Sequence, residues 1–149
     1  MSNIATTIEQ SKHLLELGLD PKTADMVWVC YAAGGYRLEV LHRELFERIM
    51  ETDIAAWSLT ALLEVMPITI TKDGMEYKLG VFPSGLFSIH SDTSKWTLQY
   101  CGRDYSYKSR NKYPILAAIT QHDIITAAYE MVCWLLEQRL IEKGGQDGN

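Results

Sequence analysis

The segment from Asp123 to Ile141, DIITAAYEMVCWLLEQRLI, constrains the fold of this chain more than any other. Its residue types predict one helix, and between Ile124 and Leu136 only Thr126 and Glu130 are polar. A helix that is apolar nearly all the way round must be buried on most sides, either within its own domain or against another chain. The chain is therefore predicted to build its core, and in part an interface, around this helix.

The composition indicates one packed globular domain. The chain has 149 residues, of which 47% are hydrophobic and 22% are charged, and this length matches the commonest size of a single domain. We expect one α+β domain over residues 1–142, followed by a polar, Gly-rich tail at 143–149 that is predicted to be disordered. The net charge of -5 disfavours broad electrostatic attraction to nucleic acid or to acidic membranes.

The N-terminus and the cysteines indicate a cytoplasmic protein. The first ten residues lack the basic and apolar regions of a secretory signal, and the longest apolar run is too short to span a membrane. The three cysteines, Cys30, Cys101 and Cys133, are an odd number in apolar or strand-like contexts, which favours reduced, buried thiols.

The first half of the chain predicts three helices and one strand. The first helix has two alternative capping boxes, Thr6 with Glu9 or Thr7 with Gln10. A glycine pair, Gly34-Gly35, ends the strand. The predicted helices are Thr7–Leu17, Arg37–Met50 and Ser58–Met66, and the predicted strand is Met26–Tyr31.

From Ile68 onward the apolar period changes to two, which is typical of strands. Asp73-Gly74 is a strong signal for a tight turn, and the short joints favour antiparallel neighbours. The predicted fold is therefore α+β, with a four- to five-stranded antiparallel meander packed by N-terminal helices and one long C-terminal helix. The predicted strands are Ile68–Thr71, Met75–Phe82, Leu86–His90, Trp96–Cys101 and Tyr105–Lys108.

The segment 103–113, RDYSYKSRNKY, interleaves basic residues with tyrosines. Basic side chains neutralise phosphates and tyrosines stack on unpaired bases, so the segment is the candidate nucleic-acid site. A solvated edge strand whose lysines discourage pairing with another sheet is the alternative explanation. The candidate residues are Arg103, Tyr105, Tyr107, Lys108, Arg110 and Lys112.

Other residues give little sign of catalysis. The four histidines and three cysteines have no metal-ligand spacing, and Gly34-Gly35 lacks the pattern of a phosphate loop. Cys101 is a candidate nucleophile with His90 as its base, but nothing in the local sequence activates the thiol. We therefore expect no catalytic residue, no metal and no cofactor. On the last helix, Tyr129 and Trp134 are the candidate interface residues.

Several blocks of the chain resemble a group of small proteins encoded in prophages and integrated elements of gut Bacteroidetes. The blocks are IEQSK with LLELG and TADM near the N-terminus, AWSLTALLE at 56–64, and AAYEMVCWLLE at 127–137. The resemblance covers both ends and the middle of the chain, and the sheet region less clearly. It implies an origin in a mobile element and no particular activity.

Two functions remain open at this point. The first is a non-catalytic accessory or interaction protein of such an element, which forms a homodimer or binds another phage-encoded protein and no membrane. The alternative is a module that binds a small molecule between sheet and helices, or single-stranded nucleic acid through 103–113.

Overall fold

The computed structural model describes residues 3–42, 51–84, 95–102 and 114–144. These ranges form two antiparallel sheets and three α-helices, which confirms the predicted α+β class. The helices are α1 (Ile8–Glu16), α2 (Leu59–Val65) and α3 (Ile124–Glu137). The strands are β1 (Met26–Cys30), β2 (Tyr36–Val40), β3 (Ile54–Ala56), β4 (Thr69–Lys72), β5 (Met75–Pro83), β6 (Trp96–Gly102) and β7 (Ile115–Gln121), and a 3₁₀ turn spans Pro21–Thr23.

Helix α1 begins with the second of the two predicted capping boxes. The side chain of Thr7 accepts a hydrogen bond from the backbone N–H of Gln10, and the Gln10 side chain accepts one from the backbone N–H of Thr7. Thr6 has another role, because its hydroxyl is buried and lies 2.8 Å from the hydroxyl of Ser11. The cap therefore fixes the start of α1, while Thr6 ties α1 to the chain before it.

Helix α3 forms the centre of the main core, as the sequence predicts. Asp123 caps its first turn, and the helix packs on α1, α2, β6 and β7. It ends at Glu137, before the predicted Ile141, because Arg139 adopts a left-handed φ of 57°. The buried residues of the helix are Ile125, Ala127, Ala128, Met131, Val132, Cys133, Leu135 and Leu136.

The larger sheet is the predicted antiparallel meander, with strand order β4-β5-β6-β7. Asp73 and Gly74 both have positive φ, of 52° and 78°, and form the tight turn between β4 and β5. In β6, Leu98 and Tyr100 are fully buried under α3. The predicted strands Leu86–His90 and Tyr105–Lys108 lie outside the described residues, and β7 completes the sheet in a part of the chain with no predicted strand.

The smaller sheet, with strand order β2-β1-β3, corrects the prediction of a helix over Arg37–Met50. Residues 36–40 are a strand, because the turn at Gly34, whose φ is 87°, folds them back onto β1 as a hairpin. Arg37 and Glu39 alternate there with Tyr36, Leu38 and Val40, which is the period of a strand. Residues 43–50 of the predicted helix lie outside the described residues.

The N-terminal segment closes one side of the smaller sheet. Ala5 forms an isolated antiparallel bridge with Ser58, and the backbone N–H of Thr6 donates to the carbonyl of Trp57. Because β3 ends at Ala56, this bridge continues the pairing beside β3. A small second core of Ala5, Met26 and Ala56 is buried there.

Two details bear on the chain ends and on membranes. The backbone N–H of Gly144 donates to the carbonyl of Gly18, while residues 145–149 lie outside the described residues, so the predicted disorder of the tail stays a prediction. Of the helices in the described ranges, none is both long and apolar enough to cross a bilayer.

Candidate binding surface

One face of the smaller sheet carries only apolar and cysteine side chains. Residues that are paired across antiparallel strands point to the same side, and alternate residues point to opposite sides. The register pairs Trp28 with Leu38 and with Ile54, and it pairs Met26 with Val40 and with Ala56. We define the apolar face as Met26, Trp28, Cys30, Tyr36, Leu38, Val40, Ile54 and Ala56.

The apolar face is covered at the β3 side and open at the β2 side. Met26, Ile54 and Ala56 are buried, in part under the N-terminal segment. At the other side, Tyr36 and Val40 are 41% and 65% exposed. Exposed apolar residues that stand singly are ordinary, but these two belong to one continuous face. The open half is therefore a candidate contact surface.

A recess of about 510 Å³ lies where the N-terminal segment meets the apolar face. The indole N–H of Trp28 donates to the carbonyl of Thr6 at 3.0 Å, which holds the ring in one orientation. A fixed aromatic wall lowers the entropy lost on binding. We call this feature the Trp28 recess; it is lined by Asn3, Ile4, Ala5, Thr7, Ile8, Trp28 and Leu38.

The opposite face of the β1–β2 hairpin carries an arginine, a tyrosine and a glutamate in contact. The guanidinium carbon of Arg37 lies 4.8 Å from the centre of the Tyr31 ring. The Tyr31 hydroxyl donates to Glu39 at 3.0 Å, and this hydrogen bond raises the pKa of Tyr31. Tyrosine, tryptophan and arginine are the residue types most enriched at interface hot spots. The hairpin therefore has interface composition on both of its faces.

A second candidate site is a polar cluster between α1 and α3. The hydroxyl of Tyr129 lies 2.6 Å from Nδ1 of His13, and the thiol of Cys133 lies 3.7 Å from the same nitrogen. Tyr129 and Cys133 are four residues apart, so they lie on the same face of α3. A thiol beside an imidazole is the pair that a cysteine nucleophile requires.

The electrostatics of this cluster oppose a nucleophilic role. Burial raises the pKa of the Cys133 thiol to about 11, although the hydrogen bond with Tyr129 lowers it. Burial also raises the pKa of Tyr129 to about 12, with Cys133 adding to the effect. At neutral pH only roughly 10⁻⁴ of the Cys133 thiol is ionised. Because the thiolate is the reactive form, the cluster joins two helices and does not activate a nucleophile.

A further recess of about 470 Å³ lies between α1 and the smaller sheet. Its wall is mostly apolar, with the charged residues Lys22 and Asp53 beside it, which is the usual composition of a small-ligand site. The lining residues are Leu15, Pro21, Lys22, Met26, Val27, Leu41, Asp53 and Ala55.

The predicted site residues lie mostly elsewhere. The segment 103–113 connects β6 to β7 and lies outside the described residues, so the nucleic-acid site at Arg103, Tyr105, Tyr107, Lys108, Arg110 and Lys112 stays a prediction. Tyr129 and Trp134 are both half-buried on α3, and their assignment to an interface also stays a prediction.

Only one member of the predicted nucleophile pair lies within the described residues. Cys101 lies on β6, half-buried, and its Sγ–H donates to the carbonyl of Gly102 at 3.5 Å. Its proposed base, His90, is outside the described residues. All three cysteines are free thiols, and of these only Cys133 is buried. Within residues 3–42, 51–84, 95–102 and 114–144, no group of three or more potential ligands could hold a metal ion.

Comparison with known proteins identifies no relative of this chain. The chain matches no protein-family model, no curated protein and no solved structure.

Proposed function

We propose that this protein is a non-catalytic interaction module that binds an apolar segment of a partner protein on the apolar face of its smaller sheet. The observation that carries the proposal is the continuous face of β1, β2 and β3, which is buried at Met26, Ile54 and Ala56 and open at Tyr36 and Val40. An open apolar face beside an apolar recess is what a bound peptide segment or loop would cover.

The Trp28 recess supplies the place for an anchoring side chain. Hot-spot residues bind in pockets near the centre of an interface, surrounded by contacts that exclude water. The fixed indole of Trp28, with Leu38 beside it, forms such a pocket, and Ile4, Tyr36 and Val40 lie exposed around it. An aliphatic or aromatic side chain of the partner fits this chemistry.

The biological setting of the proposal comes from the resemblance described above. A protein of the same prophage or integrated element is the first partner to test, and the cytoplasm is the expected location. This setting rests on the sequence blocks alone.

Site-specific photo-crosslinking tests the proposal. A photoreactive amino acid placed at Ile4, which lines the Trp28 recess, in cells that express the chain from its native locus, should crosslink one discrete protein other than the chain itself. The matched control is the same substitution at Lys78, which is exposed on β5 of the other sheet. Binding of the purified partner should then weaken at least about tenfold in Trp28→Ala, which removes the wall of the recess.

Two results would contradict the proposal. Equal labelling from Ile4 and Lys78 would show that the Trp28 recess has no preferred partner. Full affinity in Trp28→Ala would show that the recess takes no part in binding.

The second recess supports a small-molecule function as the other candidate. The Lys22 side chain lies beside an apolar wall that includes Leu15 and Val27. The other charged residue of the lining, Asp53, accepts a hydrogen bond from the backbone N–H of Cys30, so we infer that a small apolar carboxylate would bind with its charge at Lys22. Isothermal titration with decanoate tests it. Lys22→Met removes the charge but leaves an apolar side chain of similar length, so loss of binding in this variant would favour the small-molecule function. No heat of binding at millimolar decanoate would exclude it.

A further inference from the structure

Strand β2 leaves one row of backbone groups without a partner in the described residues. It is the edge strand of the smaller sheet, and β1 pairs with one side of it only. The N–H of Tyr31 donates to the carbonyl of Gly35, and the N–H of Leu41 donates to the carbonyl of Asp25. In an antiparallel ladder these bonded positions alternate, so the odd-numbered residues of β2 face β1. Tyr36, Leu38 and Val40 therefore direct their backbone N–H and C=O groups outward.

We propose that two copies of this chain associate by antiparallel pairing of their β2 strands about a two-fold axis at Leu38. In this register Leu38 bonds with Leu38 of the second copy, and Tyr36 bonds with Val40 of the second copy. All of these residues present outward backbone groups, so each one both donates and accepts a hydrogen bond. Two three-stranded sheets then become one continuous sheet, and the exposed edge is removed.

Side-chain charge selects this register over its neighbours. With the axis at Leu38, Arg37 of each copy lies opposite Glu39 of the other. Moving the axis to residue 37 would place Arg37 opposite Arg37, and moving it to residue 39 would place Glu39 opposite Glu39. Opposite charges at directly paired positions stabilise an antiparallel pair, whereas like charges destabilise it. The sequence YRLEV is thus complementary to itself in one two-fold register.

The same register brings the most exposed apolar residues of the hairpin beside one another on one face. Tyr36 and Val40, which are 41% and 65% exposed in one copy, face each other across the new pair. Leu38 meets its own copy between them, so the apolar faces of the two sheets join. The other edge of the sheet, β3, is only three residues long and packs against α1, and Ser58 just beyond it is bridged to Ala5, so it offers little room for another strand.

This association goes beyond the proposed function and does not depend on it. The β2 edge and the charges of Arg37 and Glu39 carry it, while the Trp28 recess and the apolar face carry partner binding. Trp28→Ala should therefore leave self-association intact.

Charge-reversal variants and light scattering on a sizing column test the pairing. We expect the wild-type mass to rise with concentration toward twice the 17.0 kDa of one chain. Arg37→Glu and Glu39→Arg should each weaken association about tenfold or more, because each variant places like charges opposite one another. An equimolar mixture of the two variants should restore the dimer, since the glutamates of one chain then lie opposite the arginines of the other. The double variant Arg37→Glu/Glu39→Arg should dimerise by itself.

The mixture separates an interface effect from a folding effect. Both single variants lose the contact with Tyr31 inside the chain, so a loss of folding would not be repaired by mixing. Native mass spectrometry of chains with different tags should show the mixed dimer in excess over either homodimer. A wild-type mass that stays at 17.0 kDa up to millimolar concentration would overturn the proposal. A mixture that stays monomeric while the wild type dimerises would overturn the register.

Discussion

The hydroxyl of Tyr129 lies 2.6 Å from Nδ1 of His13, a residue 116 positions earlier in the sequence, and joins α3 to α1. It belongs to a line of polar contacts along α3. The Gln10 side chain donates to the hydroxyl of Thr126 at 3.4 Å, and the Gln121 side chain donates to Glu130 at 3.0 Å. Thr126 and Glu130, the two polar residues in the apolar span of α3, therefore both have partners. These contacts fix how α1 and β7 lie against an otherwise apolar helix.

The raised pKa of Cys133 predicts a loss of stability at alkaline pH. The pKa of the Cys133 thiol is about 11 in the folded chain and 9.0 in the unfolded chain, because burial opposes the charged thiolate. Below pH 9 both states hold the proton and the stability is unaffected. Between pH 9 and pH 11 the unfolded state loses the proton first, so the free energy of unfolding should fall, by about 1–2 kcal/mol.

Urea denaturation at about pH 8 and about pH 10.5 measures this fall. The control is Cys133→Ala, which removes the titrating group and should show a smaller fall over the same interval. An equal fall in both proteins would assign the effect to other groups.

Removal of one hydroxyl tests the link between α1 and α3. Tyr129→Phe should lower the free energy of unfolding by about 0.5–1.5 kcal/mol, because the hydrogen bond with His13 is lost from a half-buried site. Tyr36→Phe is the matched control, since its ring is exposed on β2. A double-mutant cycle with His13→Ala isolates the pair. If the two substitutions add without coupling, the contact contributes nothing.

The buried hydroxyl of Thr6 connects three parts of the chain. It lies 2.8 Å from the hydroxyl of Ser11 and accepts a hydrogen bond from the backbone N–H of Trp57 at 3.1 Å. Thr6→Val keeps the shape but leaves these two groups without this partner, so we expect a loss of about 1–3 kcal/mol in thermal or chemical unfolding. Thr71→Val, on the exposed side of strand β4, should change stability little. An equal loss of stability in Thr6→Val and Thr71→Val would show that the Thr6 hydroxyl does not stabilise the fold through these hydrogen bonds.

The tryptophans should differ in their effect on stability. Trp57 is fully buried and its indole N–H donates to the Thr23 hydroxyl at 2.9 Å, so Trp57→Ala should cost about 3–5 kcal/mol. Trp134 is half-buried, so Trp134→Ala should cost less, about 1–2 kcal/mol. Calorimetry gives both values. A small loss for Trp134→Ala together with a loss of assembly would place Trp134 at an interface, as the sequence predicts.

Local signals in the sequence were enough to place the helix starts and the tight turn. The Thr7 cap, the Ser58 cap and the Asp73-Gly74 turn depend on backbone groups within three residues, so the residue type alone indicates them. The helix predicted over Arg37–Met50 was wrong at residues 37–40, which belong to β2, while residues 43–50 lie outside the described residues. Its apolar spacing fits a period of 3.6, but pairing with β1 decides the structure of residues 36–40.

The candidate sites were harder to predict because they depend on contacts between distant segments. His13 and Tyr129 carry no shared motif, and only the packing of α1 on α3 brings them together. The apolar face can be identified only once the pairing of three strands is known, and one of them, β3, has only three residues. The sequence GGYRLEV did contain a signal for β2: two glycines that can form a hairpin turn, followed by alternating apolar and charged residues.

The position of α3 along the chain has a consequence during protein synthesis. All seven strands of the described residues precede it, yet it supplies the helix that buries Leu98 and Tyr100. The ribosome therefore releases the larger sheet before its cover exists, and the sheet presents bare apolar surface to the cell until residues 124–137 emerge. We therefore expect a chain truncated before Ile124 to leave apolar surface of the larger sheet exposed and to be bound by chaperones or degraded.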